Sequence, residues 1–97
     1  MVTYIALSNF TDQGIRNVKD STKRADAVKE AAKKFGANMT QIYWTLGHYD
    51  LVSIIEAPDD TSAAALGLAV GAAGNLRTQT LRAFSKDEMN GILAKMA

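Results

Sequence analysis

The first apolar run, Thr3 to Phe10, carries β-branched and aromatic residues and stops at the polar stretch Thr11-Asp12-Gln13-Gly14, which predicts a strand. A short helical turn through Ile15 and Val18 follows. From Ser21 the period changes: Ala25, Val28, Ala32 and Phe35 recur on one face of a helix, and Gly36 stands where a left-handed residue closes it. Met39 to Leu46 and Leu51 to Ala57 read as two further strands, joined by Gly47-His48-Tyr49-Asp50, a connection of hairpin length. Pro58 to Ser62 start an alanine-rich helix that runs to about Ala73 and closes at Gly74, with Asp59 and Asp60 near the positive end of its dipole. Leu76 to Phe84 is the fourth strand. Ser85 and Glu88 then form a capping box for a last helix with Met89, Ile92, Leu93 and Met96 on one side.

This order, βαββαβ plus a terminal helix, predicts an α+β fold of ferredoxin-like type: a single domain over residues 1–97, with helices on one face of a four-stranded antiparallel sheet. If the hairpin centres on His48 and Tyr49, Leu46 faces Leu51, Trp44 faces Ser53 and Ile42 faces Ile55. Ile42, Trp44, Leu46, Leu51 and Ile55 then lie under the helices. The opposite face shows Gln41, Tyr43, Thr45, Asp50, Val52, Ile54 and Glu56, to which the first strand is expected to add Tyr4, Ala6 and Ser8. Arg77 and Arg82, five apart in a strand, point to opposite faces. Leu81 and Ala83 suit the helix side, which gives the open face to Arg82.

Such a face has a footprint near 400 Å², the size at which an uncovered apolar patch marks an interaction site. Covering it is worth on the order of 10 kcal/mol before the cost of association. The expectation is a homodimer through the helix-free sheet face, with a small-molecule ligand in the space that its polar groups leave.

Composition narrows the chemistry. Ninety-seven residues with a net charge of +1, no cysteine and one histidine exclude a disulfide framework, a thiol nucleophile and a Cys/His metal site. No metal site and no cofactor are expected. The start of the chain lacks the pattern of a signal peptide and the longest weakly polar run, Ala63 to Gly74, is too short to span a bilayer, so the expected location is cytoplasmic and off the membrane. Arg16, Lys19, Lys23, Arg24, Lys29, Lys33 and Lys34 crowd one stretch but mix with Asp20, Asp26 and Glu30 and lack interleaved aromatics. That reads as a solvated helix face, not a nucleic-acid surface.

Gly47-His48-Tyr49-Asp50 followed by Leu51-Val52 has the G-x-Y-D form, and with Thr11-Asp12-Gln13-Gly14-Ile15, Glu56-Ala57-Pro58-Asp59-Asp60 and Arg77 to Phe84 the whole chain resembles the GYD-domain family. The resemblance implies an architecture similar to the dimeric α+β barrels, a superfamily whose chemistry is too diverse to select a reaction.

His48 has the pKa range for proton transfer, but a hairpin tip is solvent-facing. Asp50 is the other candidate base; its plainer role is to accept hydrogen bonds that fix the turn. Tyr4, Ser8, Tyr43, Thr45, Tyr49, Asp50 and Arg82 are the candidate ligand-binding residues. The leading reading is a homodimeric module that binds a small amphipathic molecule at or near the sheet interface, or that serves in assembly. Its rivals are a cofactor-independent monooxygenase or isomerase using Asp50 or His48 as base, with Tyr43, Tyr49 or Arg82 holding an oxyanion, and a stand-alone effector sensor similar to Lrp-like ligand domains.

Overall fold

The computed structural model describes Met1–Ala97 and shows a four-stranded antiparallel sheet in the order β2-β3-β1-β4. The elements are β1 (Val2–Phe10), α1 (Asp12–Arg16), a 3-10 turn at Val18–Asp20, α2 (Ser21–Lys33), β2 (Asn38–Trp44), β3 (Leu51–Ala57), α3 (Asp60–Ala72), β4 (Leu76–Ala83) and α4 (Lys86–Ala94). The boundary signals act as their chemistry requires. Gly36, Gly47 and Gly74 hold positive φ at the ends of α2, the hairpin and α3, where a side chain would be strained. Asp59 caps α3 by accepting from the Ser62 amide at 2.8 Å, and both bonds of the Ser85/Glu88 capping box are formed.

Helices α2 and α3 cover one face of the sheet. Tyr4, Ala32, Ala37, Ala57 and Leu66 form the buried centre of that layer, with Val2, Phe35, Ile55, Ala63 and Val70 packed around them. The covered face is set by β1, in which Tyr4, Ala6 and Ser8 are buried and point toward the helices. This inverts the expected placement of all three. The cross-strand register carries the inversion to β4: Arg82 pairs with Tyr4 on the helix side and Arg77 pairs with Asn9 on the open side. The two arginines do sit on opposite faces, but their assignment is reversed.

The hairpin keeps its expected parity while its register moves by two residues, so Trp44 faces Leu51 and Ile42 faces Ser53. Leu46 leaves the strand and is fully exposed. A bulge between Met39 and Gln41 lets Met39 and Ile42, three apart, both reach the helix side. Trp44, at the end of the edge strand, is 42% exposed and is not a core residue.

The residues of β1 that face away from the helices are Thr3, Ile5, Leu7 and Asn9, flanked by Val52 and Ile54 of β3 and Gln79 and Leu81 of β4. Ile5 and Leu7 of the central strand therefore lie on the uncovered face, while Ala6 and Ser8 lie with Tyr4 under the helices.

Candidate functional site

Two places in the fold have the makings of a site, and they lie on opposite sides of the sheet. The first is a cavity of about 120 Å³ between α2, α3 and the sheet. Its floor is made of small side chains at the middle of the sheet, Ala6, Ser8 and Ser53, where a well-filled domain would carry large ones. Val28, Leu51, Leu66 and Val70 form apolar walls, and Thr78 and Thr80 continue the floor onto β4. The Ser8 and Thr78 hydroxyls satisfy each other at 2.9 Å. An unfilled void of this size lowers stability by about 3 kcal/mol relative to a packed interior, a large fraction of the net stability of a small domain.

Arg24 is the one charged residue in the lining. Its guanidinium donates to the Asn17 carbonyl at 2.6 Å and to the Gly14 carbonyl at 3.1 Å, which locks α2 to α1. The sequence signals for this site are the small residues of β1, which the expected strand facing puts on the other side of the sheet, and Arg24, which its neighbours make look like part of a solvated helix face.

The second place is the helix-free face. Ile5, Leu7, Val52 and Ile54 form its half-buried centre, with Leu81 and Tyr43 exposed beside them. Tyr49 reaches from the hairpin past β1, and its hydroxyl donates to Gln79 Oε1 on β4 at 3.0 Å. Tyr43 is 52% exposed and donates to Gln41 on its own strand at 3.2 Å.

The other candidate residues are held apart from both places or tied into the frame. His48 is exposed at the hairpin tip. Asp50 accepts from the Phe10 amide at 2.9 Å while its own amide donates to the Ser8 carbonyl, so it staples the hairpin to the end of β1. Neither His48 nor Asp50 lines the cavity. The Thr45 hydroxyl donates to the Tyr49 carbonyl at 2.5 Å and closes the turn. Tyr4 donates its hydroxyl to Asp60 at the start of α3. That bond, followed by desolvation and the Asp60 charge, pushes the Tyr4 phenol up to about 12. Arg82 lies 4.4 Å from the Phe84 ring centre and bridges to Glu88 at 3.2 Å, fastening α4 to β4.

A split βαβ sheet with one helical layer, a bare apolar face and a staple built from a G-x-Y-D hairpin defines the class: a small α+β domain of the ferredoxin-like type. The chain belongs to the GYD-domain family, whose model matches residues 4–93. It is 34% identical over 84 residues to the glutamine synthetase and cystathionine beta-lyase binding protein of Thermus thermophilus, covering 86% of this chain and 88% of that one. Among solved structures it is similar in fold to TTHA0845, also from Thermus thermophilus, with a TM-score of 0.57, 23% sequence identity, and 88% of this chain and 95% of that chain covered.

Proposed function

We propose that the protein is a homodimeric docking module that binds other proteins, with metabolic enzymes as its partners. The observation that carries this reading is uncovered surface. The single chain exposes 6599 Å², against about 5,400 Å² for a compact monomer of its mass. Its radius of gyration is 14.5 Å, against about 12.5 Å for a globule of this length. An excess of roughly 1,200 Å² is more than one partner contributes to a standard protein interface, about 800 Å².

The excess has two visible sources. One is the helix-free face with Ile5, Leu7, Val52, Ile54 and Leu81, which suits a second copy across a twofold axis. The other is α4, whose Met89, Ile92 and Leu93, with Met96 just beyond, are exposed at helical i, i+3, i+4 and i+7 spacing. A stripe of that kind fits an apolar groove on a partner. The relative named for binding two enzymes supports protein partners, and a cytoplasmic setting goes with them.

The test is direct binding of the purified protein to glutamine synthetase and to cystathionine beta-lyase, with Met89→Lys/Leu93→Lys as the control. Saturable binding that the double variant loses is the expected result. No binding to either enzyme overturns the enzyme-docking reading.

A second reading, a small amphipathic ligand, is favoured by the cavity under the helices. That moves the expected ligand from the space between paired sheets to the interior of each subunit.

A further inference from the structure

We propose that the cavity between α2, α3 and the sheet binds a short apolar monocarboxylate, with its carbon chain over Ala6 and Ser53 and its carboxylate against Arg24. The proposal rests on the small-molecule reading and gives it a place and a chemical class.

Size comes first. An apolar cavity of about 150 Å³ accepts benzene, so the 120 Å³ here, about four fifths of that, suits a chain of about five carbons. The floor of Ala6, Ser8 and Ser53 is buried, the walls of Leu51 and Leu66 are apolar, and the Ser8 hydroxyl is already satisfied by Thr78, so the body of a ligand would be desolvated among mostly apolar groups.

Charge then selects the head group. Arg24 alone in the lining is ionised, and no carboxylate of the chain lies within ion-pair distance of it. Two of its N–H groups are committed to the carbonyls of Asn17 and Gly14. Those bonds fix the guanidinium plane and leave the rest of its five donors for an acceptor. A carboxylate can accept from the donors that remain, and because the guanidinium is already held in place little ordering is lost on binding. A dianion would bring a second charge to a lining that offers it no second cation, only hydroxyls, the Asn75 amide and hydrocarbon, and a cation would meet Arg24 itself.

Titration calorimetry of the full chain with hexanoate and with 1-hexanol at one ionic strength tests the assignment. Amide chemical shifts of Ala6, Ser53 and Leu66 report whether the cavity is the place. Hexanoate is expected to bind about tenfold or more tightly than hexanol and to shift those amides. Arg24→Gln should bring hexanoate down to the hexanol level, and Ala6→Val, which raises the floor, should remove both. Should Arg24→Gln loosen α1 and unfold, the ratio of hexanoate to hexanol on the parent chain carries the test alone. Equal binding of the two probes would overturn the carboxylate assignment while leaving a small-molecule site. Failure of both to move the cavity amides would overturn the site as well.

Discussion

Replacing Gly14 with alanine loads the closest approach that any glycine of the chain makes to its surroundings. An added Cβ would stand 2.0 Å from the Asn75 carbonyl oxygen and 2.9 Å from its carbon, both backbone atoms. Ordinary contact between carbon and oxygen needs over about 3 Å, so α1 and the α3–β4 turn would have to separate by more than about 1 Å, which is overpacking without a side chain to yield. The separation strains a connected set of bonds. Asn75 O accepts from the Thr11 amide at 3.1 Å, Gly74 O from the Thr11 hydroxyl at 2.5 Å, and Ala73 O from Gln13 Nε2 at 3.1 Å. At about 1 kcal/mol each, the loss is about 3 kcal/mol. For a domain of this size that corresponds to a fall in Tm of roughly 12–24 °C. Gly71 in α3 is the internal control: nothing lies within 4 Å of its added Cβ, so Gly71→Ala should gain about 0.5–1 kcal/mol from helix propensity. Thermal and urea unfolding followed by far-UV circular dichroism reads both. A Gly14→Ala protein within about 0.5 kcal/mol of the parent would refute the packing argument.

Asp50→Ala should destabilise by about 1–2 kcal/mol, because it orphans the part-buried Phe10 amide; urea midpoints will show it, and Asp50→Asn should cost less. The carboxylates of Asp59 and Glu88 are held below their ordinary values of 3.8 and 4.5 by the Ser62 and Ser85 amides respectively, with Arg82 adding to the effect at Glu88. Their contribution is therefore complete above those values and is lost as pH falls through the lower folded pKa values. Carbon-detected NMR titration should show both carboxylates titrating below their ordinary values. Tyr4, raised from 10.0 to about 12, has the opposite sign: its contribution is complete below about pH 10 and disappears as the pH climbs through about 12, which ultraviolet absorbance of a Tyr43→Phe/Tyr49→Phe protein can follow.

Element order, the β2–β3 hairpin and helix ends were legible because each is written locally, although the hairpin register lies two residues from the expected one. Gly36, Gly47 and Gly74 announce their own backbone, and Ser85 and Glu88 announce α4. The facing of β1 was not legible. Tyr4-Ile5-Ala6-Leu7-Ser8 alternates between two sets that are both partly apolar, so the strand's own pattern does not say which set the helices cover. Alternation loses its meaning here because both faces of the sheet are to be covered, one by α2 and α3 and the other, in our reading, by another molecule. Arg82 is misplaced for a parallel reason: Leu81, apolar enough to suit the helix side, pairs with Ile5 on the open side, which puts Arg82 beside Tyr4 on the helix side. The cavity was hidden for a related reason: Ala6, Ser8 and Ser53 become a floor only after the facing of β1 is known. Asp50, whose turn-fixing role is local in character, acts on the Phe10 amide, forty residues away in sequence.

Sedimentation equilibrium at micromolar concentration, on the parent chain and on Ile54→Lys, addresses the bare side of the sheet most directly. We expect the parent to run at twice its 10.4 kDa chain mass and the lysine variant to fall to a folded single chain. A parent that sediments as one folded chain at these concentrations would contradict the account.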